Sequence, residues 1–172
     1  MTPFEQAMNF TTQAERGFIV DDGGPTQSGV KQNTYDVYRN LVGAPPQDVR
    51  KMTPGEYQAI MYQMFWQPGR CEFLPLRLAI CQFDTVVNSW TVRATKILQE
   101  ALGIPVDGDF GPQTQNAAAS CNDAVVAEKY LDVRWAFMQS ICAGEPPTVR
   151  LDGYRNRIKN LRAYLLTLAG PS

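Results

Sequence analysis

Histidine is absent from this chain, and that absence removes more chemistry than any other compositional fact. Ser-His-Asp and Cys-His nucleophile systems need an imidazole base, and catalytic zinc sites ordinarily need imidazole ligands. Cys71, Cys81, Cys121 and Cys142 are scattered, with no Cys-x-x-Cys pair, so neither zinc binding nor thioredoxin-like redox chemistry is supported and no metal or cofactor is expected. No apolar run is long enough to span a bilayer. The opening Met1-Thr2-Pro3-Phe4-Glu5 has neither a basic region nor an apolar core, so no signal peptide is expected. Synthesis in a cytoplasm, with the thiols reduced and serving as small core residues, follows as an expectation. Net positive charge is missing too: the formal balance of −1 gives no overall field to attract nucleic acid.

What is present suits a helical globular protein. A chain of 172 residues, 44% hydrophobic, can bury an adequate core. Thr2, Pro3 and Glu5 form a helix start with a capping box, and Phe4, Ala7, Met8, Thr11 and Ala14 recur at helical spacing. Val30, Thr34, Val37, Tyr38 and Leu41 mark a second helix, stopped by Gly43 and Pro45-Pro46. Thr53-Pro54-Gly55-Glu56 opens a third, with Tyr57, Ile60, Met61, Met64 and Phe65 inward, ending in a turn at Trp66-Gln67-Pro68-Gly69. From Leu74 to Val87 the pattern is apolar on nearly every side, which predicts a buried central helix. Asp84 and Asn88 share one face of it; they either point into a cleft or cap and cross-link neighbouring helices. Further helices are predicted over Thr91–Leu102, from Pro112 after the tight turn Asp107 to Gly111, over about Asn122–Cys142, and over about Leu151–Leu168. Strand signals are few: Phe18, Ile19 and Val20 are read as pairing with residues around Val30 in a small β-ribbon. Arg150, Arg155, Arg157, Lys159 and Arg162 gather in the last helix, where they form either a solvated face or a contact for an anionic wall or membrane surface.

One stretch carries candidate chemistry. Glu15 stands at the end of the first helix and faces a polar, glycine-rich segment containing Asp21, Asp22 and Thr26. A lone carboxyl at a helix end opposite polar groups suits glycoside hydrolysis, in which one acid protonates the leaving oxygen and a second group handles water or developing charge.

The same stretch resembles glycoside hydrolase family 108, the phage-type N-acetylmuramidases. Glu15-Arg16-Gly17-Phe18 occupies the place of that family's Glu-Gly-Gly-Tyr signature, and Asp22 to Val30 that of its following Asp-Pro-Gly-Gly-x-Thr-x-x-Gly-Ile segment. The similarity continues through Asp48-Val49-Arg50, Phe65-Trp66, Arg70-Cys71-Glu72 and Phe83 to Ser89. The second half resembles the accompanying peptidoglycan-binding region, with Leu98-Gln99-Glu100-Ala101-Leu102-Gly103, Asp107 to Thr114, and Gly153-Tyr154-Arg155-Asn156-Arg157. The resemblance implies a mainly α, lysozyme-like fold with a small β-ribbon near the active loop. It divides the chain into a catalytic region at 1–90 and a peptidoglycan-binding-like region at 91–172, packed into one body. It also implies Glu15 as general acid at the bond between N-acetylmuramic acid and N-acetylglucosamine, with two routes open. Either Thr26 holds the attacking water and Asp22 orients or activates it, which gives inversion, or an aspartate attacks the sugar directly, which gives retention. Phe18, Trp66, Asn88 and Trp90 are the candidate substrate-binding residues.

The chain departs from the family pattern at Arg16 (glycine in the family), Phe18 (tyrosine), Ser28 (an aromatic), Trp90 (glycine), and in a loop about two residues shorter. A cation beside an acid favours its ionised form. Three readings follow from these residues: an active phage or prophage endolysin that reaches the periplasmic wall after release, a wall-binding or virion-associated structural protein with weakened chemistry, and a lytic transglycosylase.

Overall fold

Thr2 and Glu5 open the first helix, α1 (Pro3–Ala14), as the sequence predicts: the Thr2 N–H donates to Glu5 Oε2 at 2.7 Å and the Glu5 N–H to Thr2 Oγ1 at 3.2 Å. The computed structural model describes residues 1–14, 19–21, 24–143 and 149–168, with side chains described for 1–12, 26–143 and 151–168. Among these residues, strands β1 (Ile19–Asp21), β2 (Gly24–Gln27) and β3 (Val30–Lys31) form one antiparallel ribbon in that order. Thr26 of the central strand sits opposite Ile19 on one side and Lys31 on the other. The ribbon therefore differs from the sequence reading in its pairing. Ile19 and Val20 meet Thr26 and Pro25, and the residues around Val30 pair with β2 instead.

Helix α2 (Gln32–Leu41) follows directly. Its buried residues are Tyr35 and Tyr38, whereas Val37 and Leu41 are exposed. Of the predicted face, Val30 and Tyr38 are buried as expected, while Tyr35 turns inward in place of Val37 and Leu41. The Tyr35 hydroxyl donates to Glu56 Oε1 at 3.0 Å, which fixes the inward face. α3 (Pro54–Ile60) starts with the predicted capping box of Thr53 and Glu56, runs on as a π-helix over Met61–Trp66 and then enters the predicted turn, at 67–70.

Next comes α4 (Leu76–Ser89), the predicted central helix, with every residue from Leu78 to Val86 buried. Its first N–H groups have no side-chain cap of their own. The Asp123 carboxylate accepts from the Arg77 and Leu78 N–H groups, each at 3.0 Å, which satisfies donors that would otherwise lack partners. Around α4 pack α1, α5 (Thr91–Leu102) and α7 (Asp123–Ile141); α6 (Pro112–Ser120) lies on α5, and α8 (Val149–Thr167) on α7 and α1. One hydrophobic cluster runs through both halves of the chain, from Ala7 and Phe10 through Phe83 and Leu98 to Tyr130 and Leu161. All four thiols are free, with Cys71, Cys81 and Cys142 buried; burial raises the pKa of the Cys71 and Cys81 thiols, which keeps them protonated core groups. No described helix is long and apolar enough to cross a membrane.

Candidate active site and its supports

Helix α1 ends at Ala14, one residue before the sequence-predicted Glu15, and its last turn is tied to α4. Thr11 Oγ1 donates to Asp84 Oδ1 on α4 at 3.4 Å, and both residues are fully buried. Asp84 also accepts from Arg134 Nη1 of α7 at 2.6 Å and from Arg157 of α8, with Nε at 3.1 Å from both oxygens and Nη2 at 2.8 Å from Oδ1. Desolvation is the largest influence on this carboxyl and would raise its pKa. The combined attraction and hydrogen bonds of Arg157 and Arg134 outweigh it and hold Asp84 ionised, below the ordinary aspartate value. Of the two sequence readings of Asp84, the structure therefore has it as a cross-link, joining four helices. Asn88, one turn later, is exposed and donates to the Asp84 backbone carbonyl at 2.8 Å.

Thr26 is 5% exposed and lies in the middle of the ribbon, beside the 49–51 turn and α2. Trp66 is 3% exposed and packs edge-on against Phe4 and Phe83, so it contributes to the core beneath α1 and not to an open groove. Trp90, by contrast, is 71% exposed at the α4–α5 junction. Glu15, Phe18 and Asp22 lie outside the described residues. Sequence reasoning missed the partners of Asp84. A carboxylate on an otherwise apolar helix signals that a cation must come from elsewhere, and the late Gly-Tyr-x-x-Arg element contains it in Arg157.

The basic C-terminal helix is largely paired. Arg155 bonds Asp152 at 2.7 Å and lies over the Trp135 ring, and Arg162 reaches Glu128 and Asp132, each at 2.7 Å.

In the second half, the buried Gln99 organises the turn that follows α5. Its Nε2 donates to Asp107 Oδ1, the Asp109 carbonyl and Thr114 Oγ1, and its Oε1 accepts from the Gly108 N–H at 2.8 Å. The Leu-Gln and Asp-Gly-x-x-Gly-Pro-x-Thr motifs are thereby one hydrogen-bonded unit. Between α5 and α7 lies a groove of about 310 Å³ lined by Arg93, Lys96, Val106 and Phe137, among others, with the Arg93 guanidinium 4.2 Å from the Phe137 ring centre.

Residues 8–89 match the family model described as Glycosyl hydrolase 108, and residues 93–161 match the one described as Predicted Peptidoglycan domain; the chain belongs to the glycosyl hydrolase 108 family. Its fold is similar to the solved structure of SagA from Brucella abortus, at 22% identity and a TM-score of 0.80 over 98% of this chain and 97% of that one. No curated protein matches the chain.

Proposed function

We propose that this peptidoglycan hydrolase is an N-acetylmuramidase in which Glu15 protonates the glycosidic oxygen between N-acetylmuramic acid and N-acetylglucosamine. Thr26 holds the attacking water and Asp22 orients it, which gives inversion. The observation that carries this reading is the clamp on Asp84. It fixes Thr11, and with it the last turns of α1, four residues before Glu15. A general acid has to be held on a rigid element to act efficiently, and α1 is the element that leads into this one.

Because Arg134 and Arg157 belong to the peptidoglycan-domain half and Asp84 to the hydrolase half, the two halves act as one body and the clamp fails without either. An endolysin-like role, with release to the wall from the cell that makes it, fits such an enzyme.

Product analysis tests the reading. Purified peptidoglycan incubated with the protein yields new reducing N-acetylmuramic acid ends. Anhydromuramic ends would identify a transglycosylase, and co-sedimentation with the wall without any product would identify a binding protein; either result overturns the proposal.

A further inference from the structure

Two uncommon backbone features meet at one aromatic pair. The first is the π-helix Met61–Trp66, closed by the Gln67 N–H donating to the Tyr62 carbonyl at 3.0 Å; such segments are rare and concentrate at functional sites. It places Phe65, itself buried, beside Trp90, with ring centres 6.4 Å apart and planes inclined by 30°. The second is Trp90 itself, whose φ of 65° and ψ of 163° fall in a region that essentially only glycine occupies without strain.

Among the described residues, the indole meets the Phe65 ring, and glycine at this position would satisfy the backbone's needs without strain. The hydrogen bonds of the junction, Trp90 N–H to the Val86 carbonyl and Ala94 N–H to the Trp90 carbonyl, are backbone bonds that glycine makes equally well. The indole is mostly in solvent, so it contributes little to the core. A strained backbone that presents a large, exposed ring points to something outside the chain.

We propose that Trp90, backed by Phe65, is a stacking platform for a sugar ring of the glycan strand, a specificity-determining residue lying beyond the Glu15 constellation. A pyranose offers an apolar C–H face and a hydroxylated rim. The indole offers a flat apolar face, and the exposed polar side chains of Asn88 and Arg93 stand near it in the chain. A lipid surface or protein partner is served by a broad contiguous apolar patch, and among the described residues of this junction, 88–93, Val92 is the one other exposed large hydrophobic. The position also suits a strand that passes the catalytic segment. Trp90 is six residues beyond Asp84, about 9 Å along a helix axis, and Asp84 is where α1 docks. The platform rests on the reading of the substrate as a glycan of N-acetylated sugars.

Trp90→Gly and Trp90→Phe test it, with chitotetraose as the binding probe and solubilised glycan strands as substrate. The parent shows a saturable change in tryptophan fluorescence on titration with chitotetraose, and Trp90→Gly does not. Trp90→Gly melts at a higher temperature than the parent, because the strain is relieved, while its KM rises about 5- to 10-fold and by more than its kcat falls. Trp90→Phe retains most of the parental affinity but not the gain in melting temperature. Parental titration and KM in Trp90→Gly would overturn the platform, and a lower melting temperature would overturn the strain that points to it. Titration of Glu15→Gln separates the two readings: binding without turnover supports both, and undiminished turnover refutes the acid while leaving the platform standing.

Discussion

Arg157 of α8 grips both oxygens of Asp84 on α4, with Nε 3.1 Å from each, while Arg134 of α7 bonds Oδ2 from the other side at 2.6 Å. The carboxylate is fully buried and Arg134 is 1% exposed, so this ionic cluster is shielded from solvent. Removing one partner from such a cluster leaves uncompensated buried charge, which costs about 3–5 kcal/mol. Asp84→Asn is expected to lower stability by that order in urea unfolding, and Arg134→Met to do the same. An unchanged midpoint in either would show that the cluster is not what joins the halves.

The same cluster sets an acid limit. Asp84 has a folded pKa depressed below 3.8. Its contribution is therefore complete above the ordinary aspartate pKa and is lost as pH falls through the lower folded value. Thermal unfolding of the parent and Asp84→Asn at a series of pH values measures this: the gap between them is widest near neutrality and narrows below about pH 4.

Glu56 predicts a second, separate acid step. Burial, the largest influence, would raise its pKa, but the Thr53 N–H, Arg39, Tyr35 and the Thr53 hydroxyl together lower it from 4.5 to about 2. Its contribution is complete above 4.5 and disappears as pH falls towards 2. Glu56→Gln loses the ionic bond from Arg39 at 2.7 Å and weakens the capping box. The expected deficit is about 1 kcal/mol at neutral pH, fading across that window in calorimetric scans.

Gln99 and Gly108 test the turn of the second half. Gln99→Leu strands the Gly108 N–H and is expected to cost about 1–3 kcal/mol. Gly108 has a φ of +84°, and an added Cβ would lie 2.9 Å from Lys96 Cε and 3.1 Å from Val92 Cγ1, so Gly108→Ala should destabilise by about 1 kcal/mol or more. Denaturant unfolding measures both; neutrality of either would mean that the motif is kept for a surface role and not for this packing.

Legibility in the sequence followed the range of the interactions. Capping boxes at Thr2–Glu5 and Thr53–Glu56 and the bounds of α5 were readable because neighbours within four residues decide them. The inward face of α2 was not, since Tyr35 turns in to meet Glu56 from another helix. The ribbon pairing had a local signal: the paired Asp21 and Gly24 are separated by Asp22-Gly23, a dipeptide favoured in two-residue hairpins. Asp84 announced its need for a cation, but the donors lie 50 and 73 residues away, beyond any periodicity. The glycine-like backbone of Trp90 had a signal in the family's glycine at that position, whereas the π-helix at Met61–Trp66 had none that the helical periodicity could distinguish.

The central claim is that the carboxyl of Glu15 does the acid chemistry, and release of reducing ends from purified peptidoglycan by Glu15→Gln tests it most directly. Glu15→Gln is expected to lose about 100- to 10,000-fold relative to the parent, with the unfolding midpoint unchanged. Release at the parental rate would contradict it.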